Sequence, residues 1–269
     1  MSRPLVMGII NVTPDSFSDG GQWDTTDAAV AHGRDLLARG ADVLDVGGES
    51  TRPGAHRIDE ATELARVLPV VAELAATGAS VSVDTTRARV AAEALAVGAT
   101  IINDVSGGLA DPAMLPLVAQ ARVTYIAMHW RGHARTMDRH ADYGDTVAEV
   151  SAELAARRDA ALAAGIAAER LVLDPGLGFS KDAEHNWQLL RHWSALTDLG
   201  HPLLLAASRK RFLGSLLGSL EAPRPAGERD VATAVLAALL AHQGLWGVRT
   251  HEVTATSDAL AVARRMAGP

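Results

Sequence analysis

The sequence predicts a (β/α)8 barrel of the TIM type. Three observations carry this reading. Short runs rich in Val, Ile and Leu alternate with longer Ala-rich segments of helical period, eight such pairs can be counted, and together they fill nearly the whole 269-residue chain. That is the size and order of a parallel barrel covered by helices. A doubly wound open sheet carries the same alternation, because pattern alone does not show closure.

The first strand is "LVMGII", Leu5–Ile10, and it runs into "NVTPDSFSDGG", Asn11 to Gly21. A strand-to-helix connection normally needs two to six residues. This one extends to about Asp24 and carries Phe17, an apolar ring that a plain solvent loop does not need, so it reads as a functional loop. The first helix, "DTTDAAVAHGRDLLARG", has oxygen caps at Asp24 and Thr25, a stripe of Val30, Leu36 and Leu37, and Gly40 as its stop. The later strands are "ADVLDVG", "SVSVDT", "TIINDV", "VTYIAMH", "RLVLDPG", "PLLLAAS" and "WGVRTHEV". The later helices are expected over Asp59–Thr77, Arg87–Val97, Pro112–Gln120, Asp145–Ala164, Glu184–Leu196, Arg229–His242 and Ser257–Met266. No composition break marks a second domain, so residues 1–269 read as one.

Hydrophobic residues make up 48% of the chain, enough for a large core without disulfides, and there is no cysteine. The net charge of -7 gives no bias towards nucleic acid or an anionic membrane. The first apolar run is too short for a signal peptide and no run reaches the length of a membrane span, so a cytoplasmic protein is expected.

In such a barrel the reactive residues come from the carboxyl ends of the strands. Here those ends hold Asn11; Glu49, Thr51 and Arg52; Asp84; Asn103 and Asp104; His129; Asp174; Ser208, Arg209 and Lys210; Arg249 and His251. Asp84, Asn103 and Asp174 follow apolar strands closely, and a flat heterocycle bearing ring N–H, amino and carbonyl groups would satisfy them. Arg52, Lys210, Arg249 and His251 suit an anion such as phosphate, and Asn11 offers a neutral oxygen for a divalent ion on that anion. The pairing suggests a phosphorylated heterocycle. The histidines in "HWRGHARTMDRHADYGD" match no zinc spacing. The Gly47-Gly48 and Gly107-Gly108 pairs do not complete a nucleotide fingerprint.

Seven segments, "NVTPDSFSDGG", "DVGGESTRPGA", "SVDT", "INDVSGG", "LDPGLGF", "ASRKRF" and "VRTHEV", resemble in their order the signatures of the dihydropteroate synthase family of folate biosynthesis. The resemblance implies a pterin-binding barrel that joins p-aminobenzoate to 6-hydroxymethyl-7,8-dihydropterin pyrophosphate with Mg2+ assisting, by a dissociative route and without a covalent nucleophile. It implies that Asp84, Asn103, Asp174 and Lys210 hold the pterin, with Arg249 stacked on or beside it. Asn11, Thr51, Arg52, Arg249 and His251 would handle pyrophosphate, with Asn11 also a Mg2+ ligand. Asp15, Phe17 and Asp19, together with Thr51, Arg52, Pro53 and Ser208, would form the p-aminobenzoate side, the first loop acting as a lid. A homodimer through Arg229–His242 and a sulfonamide target are implied as well. Ala206 departs from the glycine that many members carry two residues before the serine of the S-R-K segment. Two competing readings are a catalytically silent pterin-binding paralogue and a pterin-binding methyltransferase domain. The second would not need "STRPG" or "SRKRF".

Overall fold

A computed structural model describes residues 3–13, 25–50, 56–133 and 140–268. Its strands are β1 (Leu5–Asn11), β2 (Val43–Gly47), β3 (Ser80–Asp84), β4 (Ile101–Asp104), β5 (Thr124–Met128), β6 (Leu171–Asp174), β7 (Leu203–Leu205) and β8 (Leu245–Thr250). They pair in sequence order, each parallel to the next, and β1 closes on β8 through Leu5↔Gly247 and Met7↔Arg249. The open-sheet alternative is therefore excluded. The helices are α1 (Thr25–Ala38), α2 (Glu60–Ala75), α3 (Ala88–Ala96), α4 (Met114–Ala121), α5 (Thr146–Ala163), α6 (Ala183–Arg191), α7 (Trp193–Thr197), α8 (Arg211–Leu217), α9 (Asp230–Leu240) and α10 (Val253–Met266). Oxygen caps begin several of them. Asp59 accepts from the Thr62 N–H at 2.8 Å and Asp145 from that of Ala148 at 3.0 Å.

Alternation along each strand sorts its residues between two cores. Leu44, Val46, Val81, Val83 and Ile102 pack outwards against the helices. Met7, Val43, Ile101, Ile126, Val172 and Leu204 form a separate cluster inside the barrel and close its lower half. Two residues further along the inward parity stand Asp45, Ser82, Asn103 and Asp174, with Asp84 above Ser82. The barrel is thus apolar below and polar at its carboxyl end.

Three helix boundaries differ from expectation. Glu184–Leu196 is interrupted at His192, where Trp193 turns inward and its Nε1–H donates to the Gln243 carbonyl at 3.0 Å. Helix α8 occupies a stretch where no helix was expected, its Gly214 lying so close under Arg229 that a Cβ would fall 2.5 Å from Nε. Helix α10 begins at Val253 because the Glu252 carboxylate accepts from the Thr254 N–H, so β8 stops at Thr250 rather than continuing to Val253. Among the described residues no helix is long and apolar enough to cross a membrane.

Candidate active site

The strand parity that fills the barrel floor also decides which polar residues face inward. On β4, Ile101 and Asn103 point inside, whereas Ile102 and Asp104 face the helices. Asp104 accordingly accepts from Ser106, Gly108 and the buried Tyr125 hydroxyl, and does not join the site. Asp84, Asn103 and Asp174 do converge, all nine-tenths or more buried.

They meet over a residue that the strand-end reading passed by. Asp45 lies in the middle of β2, is fully buried, and accepts at Oδ2 from Asn103 Nδ2 at 3.1 Å and from Arg249 Nε at 2.6 Å. Arg249 Nη2 donates in turn to Asp84 Oδ2 at 2.9 Å. One guanidinium thus ties β2, β3 and β8 across the barrel, and Asp45 supports both it and the Asn103 amide. Gly47 leaves this layer open, since a Cβ there would stand 3.4 Å from that of Asp84. The signal for Asp45 was present in the sequence, a carboxylate inside an otherwise apolar strand, two residues before Gly47.

Asp174 accepts the Gly176 N–H at Oδ1, 2.7 Å away. Burial pushes its carboxyl up to about 6, opposed by that hydrogen bond and by Lys210 and Arg249. Burial likewise raises Asp84, to about 7, against the pull of Arg249. The Lys210 ammonium stands 3.9 Å over the Phe179 ring, and burial, then Arg249, lowers it to about 8. A floor of carboxylates, an amide and two cations, with an aromatic wall, can hold a flat polar heterocycle by its edge and its face.

At the rim, Ser208 Oγ and His251 Nδ1 are 2.9 Å apart, and the His251 N–H donates to the same oxygen at 3.1 Å. These two predicted residues therefore act as one unit joining the ends of β7 and β8. Arg209, named with them, is in the left-handed conformation and turns away to a bidentate pair with Asp230 at 2.8 Å. Glu49 is held by Arg57 and Arg87. Beside this rim lies an open cleft lined among others by Asp84, Arg57, Trp130, His133 and Phe179.

His129 sits 1% exposed at the end of β5, between Lys181 and Glu153, and burial followed by the Lys181 charge lowers it to about 4. Lys181 was also missed, since one lysine beyond "LDPGLGF" reads as surface. Asp15, Phe17, Asp19, Thr51, Arg52 and Pro53 lie outside the described residues.

Asn11, half-buried at the carboxyl end of β1, supplies a neutral oxygen of the kind Mg2+ accepts. Among the described residues no cluster of three acidic, His or Cys side chains could hold a metal. A Mg2+ ion here would take its other oxygens from a phosphorylated ligand and water. The Asn11 amide oxygen is compatible in kind with such an ion.

The description "Pterin binding enzyme" matches residues 7–251. The chain is 56% identical over 259 residues to the dihydropteroate synthase of Mycobacterium leprae, covering 96% of this chain and 91% of that one. The solved structure of Xanthomonas albilineans dihydropteroate synthase with 4-aminobenzoic acid superposes with a TM-score of 0.92 at 45% identity, covering 100% and 94% of the two chains. The same organism's enzyme in complex with 7,8-dihydropteroate gives 0.89 at 42% identity, covering 100% and 95%.

Proposed function

The chain belongs to the pterin binding enzyme family, and on that premise we propose that it acts as a dihydropteroate synthase. It condenses 6-hydroxymethyl-7,8-dihydropterin pyrophosphate with p-aminobenzoate, giving 7,8-dihydropteroate and pyrophosphate. The observation that carries this reading is the inward layer of Asp84, Asn103 and Asp174, braced by Asp45 and Arg249 beneath Lys210. An all-polar layer on an apolar barrel floor is costly unless a ligand completes its hydrogen bonds, and a pterin edge carries the donors and acceptors to do so.

The chemistry is a substitution at the pterin methylene. The C–O bond breaks with its electron pair leaving on pyrophosphate, the arylamine lone pair forms the C–N bond, and the amine then loses a proton. Asp174, ionised above about pH 6, is the carboxylate this reading assigns to stabilising the transient pterinylmethyl cation. Asn103 and Asp84 orient the ring, and Lys210 covers it beside Phe179. Arg249, held by Asp45 and Asp84, and the Ser208–His251 pair supply the cationic and donor groups this reading assigns to the departing pyrophosphate. Asn11 would hold Mg2+, which supplies neutralisation of the pyrophosphate charge when bound. The roles of Thr51, Arg52, Pro53, Asp15, Phe17 and Asp19 towards pyrophosphate and p-aminobenzoate rest on the sequence resemblance.

The protein works as a homodimer in this reading. Val231, Val235 and Leu239 form an exposed apolar stripe along α9, continued by Val262 and Met266 on the neighbouring α10. The cytoplasm is the site of action, since a pyrophosphorylated pterin does not cross a membrane unaided. A steady-state assay with each component omitted in turn tests the function. Dihydropteroate should form only when both substrates are present, and chelation of Mg2+ should suppress it. Binding of the pterin pyrophosphate without any product would leave a silent pterin-binding protein instead.

A further inference from the structure

The ammonium of Lys181 has no role in the chemistry above, yet it is buried directly behind the site. It is 9% exposed, and a lysine has three N–H donors. Here three acceptors meet them: His129 Nδ1 at 2.9 Å, and the carbonyls of Gly176 and Phe179, each at 3.1 Å.

Those carbonyls belong to residues 175–180, which form neither helix nor strand. The stretch passes through three left-handed positions, Gly176 (φ 67°), Gly178 (φ 75°) and Ser180 (φ 48°). A non-glycine residue there is uncommon, and the buried Ser180 Oγ has no hydrogen bond among the described residues. Cross-links hold the stretch in place: Lys181 on two of its carbonyls, and Asn186 Oδ1 accepting the Gly178 N–H at 2.6 Å.

Two of the reaction's charged groups lean on this same stretch. The Gly176 N–H donates to Asp174, the Phe179 ring lies under the Lys210 ammonium, and a Cβ on Gly178 would fall 2.9 Å from Lys210 Cδ. We propose that Lys181 is a positioning residue for the substitution: by gripping the Gly176 and Phe179 carbonyls it fixes the loop that aims the Asp174 carboxylate and the Lys210 ammonium at the pterin. His129 anchors the grip. Its Nδ1 accepts from the ammonium, so the neutral ring carries its proton on Nε2, which donates to Glu153 at 3.0 Å. Glu153 is itself held by Arg131, which ties the assembly to α5.

Lys181→Met keeps the length of the stem and removes the donors. Its kcat should fall about tenfold or more while the KM for p-aminobenzoate stays within about twofold, because the lost interaction aims groups at the pterin. The Gly176 amide should exchange about tenfold faster or more, with the amides of β3 and β4 unchanged. Lys181→Gln, the milder change, should fall between this variant and the wild type. Wild-type kcat and Gly176 exchange in a folded variant would overturn the inference. So would a loss of activity that follows the melting temperature alone, or failure of both variants to fold. The inference rests on the synthase reading, but the two fail separately. A wild type that makes no dihydropteroate sinks that reading, whereas the Gly176 exchange tests the grip of Lys181 without any substrate.

Discussion

Asp174 sits under opposing demands: the reaction needs its charge, and the barrel interior penalises it. Burial holds its carboxyl at about 6, so turnover should fall along an acid limb near that pH. The effect on stability has the opposite sign. Between 3.8 and about 6 the folded protein keeps this proton while the unfolded chain has lost it, so the group's contribution to stability diminishes as pH rises through that window. A kcat profile beside denaturant unfolding at the same pH values checks both. An acid limb that coincides with loss of folded protein would contradict the assignment. Asp45→Asn is the second test at this scale. Arg249 and Asn103 lose a charged acceptor, so affinity for the pterin substrate should fall about tenfold, with a stability cost of about 1–3 kcal/mol. Calorimetric binding equal to wild type would remove Asp45 from the site. Asp84, Asn103 and Asp174 were legible in the sequence because each lies at or one residue before the end of an apolar strand. Asp45 was less legible, because it lies inside its strand rather than at the end, where the barrel rule places reactive groups. Asp104 was misplaced for want of parity, since neighbours on a strand face opposite cores.

At the scale of elements, the connection after β6 is the one most exposed to small changes. Gly178→Ala adds a methyl at φ 75° and 2.9 Å from Lys210 Cδ. The backbone strain costs about 1 kcal/mol, but the displaced lysine should lower kcat/KM for the pterin substrate about tenfold. Unaltered kinetics would show that the Lys210 stem moves freely. On α9, Leu239→Arg places a charge in the exposed apolar stripe and should shift the protein to monomers in sedimentation. An unchanged sedimentation profile would contradict the proposed dimer through α9. All eight strands fall where they were expected, because a fully buried parallel strand is a continuous apolar run, but β6, β7 and β8 stop two to three residues short of their expected ends. The helices fared less well where tertiary contacts overrule local pattern. Trp193 breaks one helix to reach the Gln243 carbonyl, and the unexpected α8 carries Gly214 as a packing contact with Arg229 and ends at Gly218.

For the whole molecule, closure of the barrel is what turns scattered strand ends into a site. Residues 45, 84, 103, 174, 210 and 249 are far apart in the chain, and the ring of eight parallel strands brings them to one end of the barrel. Closure was the step that alternation could not supply, and the seven motifs identified the chemistry before the topology did. In the proposed mechanism this layer drives cleavage of the pterin C–O bond, with Asp174 facing the developing cation. Single-turnover pyrophosphate release with enzyme in excess, for wild type and Asp174→Asn side by side, tests it most directly. The wild type should release one pyrophosphate for each dihydropteroate formed. Asp174→Asn, whose amide oxygen still accepts from Gly176, should bind the pterin pyrophosphate with affinity within a few-fold of wild type yet release pyrophosphate about 100-fold more slowly or worse. Equal release rates in the two proteins, or a wild type that binds the pterin pyrophosphate and releases nothing, would contradict it.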